Sequence, residues 1–204
     1  MKIVRTYSHL NGEEWLLQHK PELWSEIIAS VEAVDAEACK TKISKEKTMK
    51  GKRLYSPTDL NKAFKKELHN MGWAREIRTD YYVCEDSDVT RETLHLSKKE
   101  QKAYIEARGL VPIPTHNTAD YEKDSISIEV QFGKYSFVQF DLFIKHAANY
   151  MNYRIDLGVE IVPMKSMELE MSSGPPYFEK HLHEILRQGR IFPPVPILLV
   201  GIAP

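Results

Sequence analysis

The stretch "DYEKDSISIEVQF", Asp120 to Phe132, carries the decision about the fold. Side chains alternate along a strand, so Ile126, Ile128, Val130 and Phe132 form one apolar face while Ser125, Ser127, Glu129 and Gln131 point the other way. Glu129 and Gln131 are then neighbours. A tight bend near Lys123 and Asp124 would bring Asp120, on a preceding antiparallel segment, beside Glu129. Asp124 competes for that place, because a bend can be registered either way. Two carboxylates gathered at one point repel unless a cation sits between them. Oxygen-only ligation suits a hard ion such as Mg2+, which takes one or two carboxylates, several waters and often a phosphate oxygen. Acid, gap, acid on an alternating strand is also common as plain surface charge, so spacing alone leaves both readings open.

Downstream of that strand the pattern alternates. A helix around Phe137 to Met151, a strand "IDLGVEIVP", a helix "YFEKHLHEILRQG" and a strand "PILLVGI" predict a mixed sheet with helices packed on it. Phe137, Phe140, Phe143 and Tyr150 recur at helical intervals and are assigned mainly to core.

Upstream, the chain reads as mostly helical. Two helical stretches are expected to open it, the second, "PELWSEIIASVEAV", starting on Pro21 with Leu23, Trp24, Ile27, Ile28, Val31 and Val34 on one face. The run "CKTKISKEKTMKGKR" sets Lys40, Lys42, Lys45, Lys47, Lys50, Lys52 and Arg53 against Glu46 alone, and reads as a mobile basic loop, solvated or facing phosphate. Ser56 and Pro57 start a helix that carries Leu60, Phe64, Leu68 and Met71 to a stop at Gly72. "RTDYYVC" reads as a short strand. Ser97 and Glu100 form a capping box for a helix ending at Gly109, and Pro112 and Pro114 imply an extended connection through Thr118.

At 204 residues the chain has room for one well-cored domain. We read 1–204 as that domain, with a mainly helical part over 1–110 that includes the basic loop 40–53, and a β-α-β-α-β core over 111–204. A net charge of -1 excludes a protein that coats nucleic acid through global basicity, so contact with a polyanion must come from local charge. Cys39 and Cys84 lack the spacing of a zinc site or redox pair and read as free thiols of a reducing cytosol. No leader or membrane-spanning run is evident, which predicts a cytoplasmic protein. His181 and His183, two apart on a helix, point to different faces; His116 has no partner at useful spacing.

The blocks "YSHLNG", "DAEACKTKISKEKT", "LYSP", "EVQFGKYSF", "DLFIKH", "EMSSG", "RQGR" and "GIAP" follow one another over most of the chain. In that order they resemble type II restriction endonucleases of the BglII/BamHI group, within the PD-(D/E)XK nuclease superfamily. The resemblance implies an α/β (α+β) restriction-endonuclease-like core, a mixed central sheet flanked by helices, with helical N-terminal additions. It implies a bacterial homodimer that clasps double-stranded DNA and cuts the palindrome RGATCY after R, paired functionally with a cognate DNA methyltransferase. Carried over by position, Asp120 and Glu129 would ligate Mg2+ with the carbonyl of Val130. Gln131 would occupy the place of the superfamily lysine, a departure that agrees with the BglII subgroup. Lys134 and Ser173, with Ser172 as a weaker companion, would read the degenerate outer base pair; Arg187 and Arg190 lie outside that set. A repair endonuclease of the same fold, a DNA-binding dimer without cleavage, and a structural dimer are the competing readings.

Overall fold

The computed structural model describes every residue except Tyr153, with backbone alone for residues 75–77. In chain order the elements are β1 (Lys2–His9), α1 (Gly12–His19), α2 (Pro21–Ala33), β2 (Lys42–Ile43), β3 (Arg53–Leu54), α3 (Pro57–Asn70), β4 (Ala74–Val83), α4 (Ser87–Thr93) and α5 (Lys98–Ala107). They continue with β5 (Ile113–Lys123), β6 (Ile126–Val130), α6 (Tyr135–Phe140), a π-helical turn (Asp141–Lys145), α7 (His146–Met151), β7 (Leu157–Pro163), α8 (Lys165–Glu168), α9 (Phe178–Arg187) and β8 (Ile197–Ala203).

Two compact units result. The first combines Met1–Arg75 with Asp120–Pro204, and the second is Glu76–Ala119. Within the second unit, β4 and the first part of β5 are neighbouring strands, and α5 opens on the capping box expected from Ser97 and Glu100.

In the first unit the strands follow the order β1-β8-β7-β6-β5. β6, β7 and β8 are parallel, and β1 and the end of β5 are antiparallel at the two sides. The sheet is mixed, as expected from the alternating pattern. β8 shows how it is buried. Leu198, Val200 and Ile202 pack with Leu16, Leu23, Ile27, Val31, Leu60, Phe64 and Leu68 of α1, α2 and α3. Ile197 and Leu199 pack with Val138, Leu142, Ala147, Phe178 and Ile185 of α6, the π turn, α7 and α9. Helices thus cover both faces, which is why the central parallel strands are buried along their whole length.

Several expectations are corrected. The chain opens on a strand, not a helix: β1 pairs along its length with β8, from Lys2 opposite Ala203 to His9 opposite Ile197. Its half-exposed edge position allows Lys2 and Arg5, which hid its period from a local reading. The extended connection before Thr118 is part of β5. The basic run forms a β2–β3 hairpin, with Ser44 N–H donating to the Lys52 carbonyl at 2.9 Å. Phe137 and Phe140 are 52% and 44% exposed. Val138, Leu142 and Ala147 supply the buried core contact of that segment, with Phe143 and Tyr150 packed partly against it. Among the described residues no helix is long and apolar enough to cross a membrane.

Candidate active site

Asp124 and Ser125 both take positive φ, 46° and 64°, and make the two-residue turn that joins β5 to β6. The register follows: Lys123 faces Ile126 and Tyr121 faces Ile128, so the next position brings Asp120 to Glu129. Asp124 lies at the turn, at the other end of the hairpin. Lys123 secures this arrangement from beneath, with Nζ 2.8 Å from both Glu26 oxygens and from the Met71 carbonyl.

Asp120 and Glu129 interlock. The Asp120 N–H donates to Glu129 Oε1 at 3.2 Å, and the Val130 N–H donates to Asp120 Oδ2 at 3.4 Å. Gln131 sits one pleat further, its N–H bonded to the Ile161 carbonyl at 3.0 Å. Its side-chain Oε1 accepts from the Gly133 N–H at 3.1 Å, and its Nε2 donates to Asp141 Oδ2 at 3.4 Å. A Cβ at Gly133 would stand 2.9 Å from that Oε1, so glycine is what lets the amide fold back.

Four residues at this centre carry no role in the sequence reading. Asp141 and Lys145 come from the π turn, where the His146 N–H reaches back to the Asp141 carbonyl. Lys145 Nζ lies 2.9 Å from Glu129 Oε2 and 2.8 Å from Asp141 Oδ1. Glu160 of β7 is the register partner of Glu129, and His146 Nε2 stands 3.5 Å from Glu160 Oε2 without hydrogen-bonding alignment. An acid and a lysine four apart within the helix predicted around Phe137 to Met151 was the available signal for Asp141 and Lys145. The Glu160–His146 contact depends on neighbouring strands and had none.

Burial governs the electrostatics here. Glu129 is 1% exposed. Desolvation, then the charges of Asp120 and Asp141, push its carboxyl up to about 9 against the pull of Lys145. Desolvation likewise raises Asp141, and raises Glu160 well above the usual carboxylate range. His146 is lowered to about 3 by burial and by Lys145, so it is neutral. The centre therefore has more carboxylate than cation. That is the donor chemistry of a hard divalent ion, although no group of three or more His, Cys, Asp or Glu among the described residues is already arranged around one.

The predicted base-reading residues also converge. The Tyr135 N–H donates to the Gly174 carbonyl at 2.9 Å, which places exposed Lys134 next to the Ser172–Ser173 loop. That loop rests on the β2–β3 hairpin: Lys42 Nζ donates to Ser172 Oγ at 2.5 Å, and Glu46 Oε1 accepts from Ser173 N and Oγ at 2.9 and 3.0 Å. Arg187 is engaged by Glu184 at 2.7 Å. His181 is buried with both ring nitrogens unpartnered and His183 is exposed, so the two do not meet.

A mixed central sheet flanked by helices on both faces is the fold of a restriction endonuclease. The chain belongs to the restriction endonuclease BglII/BglIII family, whose model matches residues 4–202, and it is a type II restriction endonuclease. The fold is similar to the crystal structure of restriction endonuclease BglII complexed with a DNA 16-mer. That match has a TM-score of 0.63 at 21% identity, over 98% of this chain and 76% of that one. Free BglII matches with a TM-score of 0.56 at 17% identity, over 100% and 80%. No curated protein matches the chain in sequence.

Proposed function

We propose that the chain is a Mg2+-dependent homodimer that hydrolyses both strands of duplex DNA at 5'-R^GATCY-3', leaving GATC overhangs, in the bacterial cytoplasm beside a cognate methyltransferase. The observation that carries this is the mutual hydrogen bonding of Asp120 and Glu129 next to Gln131. Asp120, Glu129 and the Val130 carbonyl would hold the ion. When bound, Mg2+ supplies Lewis acidity that makes water a nucleophile and offsets charge at the phosphate. Gln131 can donate or accept a hydrogen bond but cannot take up a proton at neutral pH, so its part is to orient. Lys134 presents donors only. In the major groove both purines offer N7 as an acceptor, so a lysine tolerates A or G where an amide would prefer A, and the degenerate outer pair follows.

The dimer reading is supported by the helical face opposite the core. Phe137, Phe140 and Ile144 are exposed there on the element that supplies Asp141 and Lys145, and Phe143 stacks on half-exposed Phe192 with ring centres 5.7 Å apart. A twofold partner placing a second acidic centre on the other strand would match a palindrome.

Digestion of plasmid DNA in Mg2+, followed by sequencing of the ends, tests the proposal. Discrete fragments ending in GATC are expected. Cutting confined to flaps or damaged DNA would establish the repair reading, and intact plasmid in both Mg2+ and Mn2+ the non-cleaving one.

The raised Glu129 carboxyl adds a pH dependence. At neutral pH the metal-free site keeps this proton, and an ion must displace it. Apparent Mn2+ affinity should therefore rise with pH by up to about tenfold per unit toward pH 9, with about one proton released per ion. Calorimetric titration in two buffers of different ionisation enthalpy measures both. A pH-independent affinity would remove Glu129 from the ligand set.

A further inference from the structure

The superfamily's strand position for lysine is held here by Gln131, yet a lysine is present at the acidic centre, delivered by a different element. Lys145 arrives from the π turn with its side chain 12% exposed, between a strand carboxylate and a helix carboxylate at 2.9 and 2.8 Å. A buried ammonium is costly unless paired, and this one is paired twice. Glu129 divides its oxygens: Oε2 faces Lys145, while Oε1 accepts the Asp120 N–H.

We propose that Lys145 is a tethered cation occupying the place a second divalent ion would take between Glu129 and Asp141, and that it restricts the centre to one metal ion, shared by Asp120 and Glu129. This rests on the reading of Asp120 and Glu129 as metal-binding carboxylates. The charge count supports it. With an ion bound, the ionised carboxylates of Asp120, Glu129 and Asp141 against one ammonium leave an excess that one divalent ion cancels. Without the ammonium, the three acids would form a donor set for two. Lys145 is in this sense a positioning residue: its fixed charge holds Glu129 with Oε1 turned toward Asp120, and keeps Asp141 out of the first ion's coordination. The π turn fits this role, since its wider winding sets the spacing of Asp141 and Lys145.

Mn2+ titration of the full chain, read by electron paramagnetic resonance without DNA, tests the proposal through stoichiometry rather than cleavage. The parent should bind one ion, Lys145→Arg one, and Lys145→Gln two, the second within about tenfold of the first in affinity. Lys145→Gln/Asp141→Asn, which removes a cation and an acid together, should return to one; it also serves if the single glutamine variant does not fold. Two ions on the parent, or one ion on Lys145→Gln at unchanged affinity, would overturn the tethered-cation role. If Lys145→Gln does not fold, a double variant that binds two ions would do the same. Failure of the underlying site reading looks different: Asp120→Asn would then bind Mn2+ as the parent does, or the parent would bind none.

Discussion

Glu129→Gln should lose DNA cleavage by roughly a thousandfold or more while keeping its fold and its affinity for the cognate duplex in Ca2+ to within about tenfold. Glutamine has the shape of the side chain it replaces and preserves an acceptor for the Asp120 N–H. What it removes is the negative charge that would be shared with Asp120 around an ion. The stability profile separates this from damage to the fold. Native Glu129 holds its proton up to about 9, whereas the unfolded chain ionises near the ordinary value of 4.5. Between those values the native state carries the extra proton, so the contribution is complete below 4.5 and is lost as pH rises toward 9, at up to about 1.4 kcal/mol per unit. Glutamine has no such slope. Urea denaturation with a chelator present should therefore show the variant losing less stability than the parent between pH 5 and 9. A variant that cuts at near the parental rate would remove Glu129 from the chemistry.

Gly158→Ala should destabilise the protein by about 2–3 kcal/mol and lower its melting temperature by roughly 5–10 °C. A Cβ at position 158 of β7 would stand 2.6 Å from both Cγ and Nδ1 of His146, a ring with no exposed surface. Neither side can yield easily, since β7 is hydrogen-bonded on both sides and His146 lies between the helix and the sheet. The consequence reaches the active site, because His146 directly follows Lys145. Lifting the ring displaces the ammonium from Glu129, so cleavage should fall even at temperatures where the variant stays folded. Trimming the opposing group should couple strongly: Gly158→Ala/His146→Ala should be more stable than the sum of the single losses. A melting temperature within a degree of the parent's for Gly158→Ala would show that this contact does not hold the helix in place.

Much of the catalytic half was legible because its signals are local. The alternation from Ile126 to Phe132 marks β6, and a bend was expected near Lys123 and Asp124; the turn itself falls one residue on, at Asp124 and Ser125, both at positive φ. The Ser56 and Ser97 caps, and the strands within "IDLGVEIVP" and "PILLVGI", belong to the same class. β1 was not legible. Its partner lies at the opposite end of the chain, and an edge strand needs no apolar period to be held by backbone hydrogen bonds. Phe137 and Phe140 misled for a related reason: helical spacing says that residues share a face, but not whether a sheet or solvent lies against it.

The candidate site divides along the same line. Alternation alone makes Glu129 and Gln131 neighbours on β6, and a hairpin brings an upstream acid to them, but only the observed register chose Asp120 over Asp124. Lys145, Asp141, Glu160 and His146 meet them only through packing. Glu160 arrives by strand pairing, His146 by the space that Gly158 leaves, and the other two by the phase of a π turn. Tertiary structure also decided the charge state of the centre, because a carboxylate's proton depends on how much water and opposite charge surround it, and no run of residues encodes that locally.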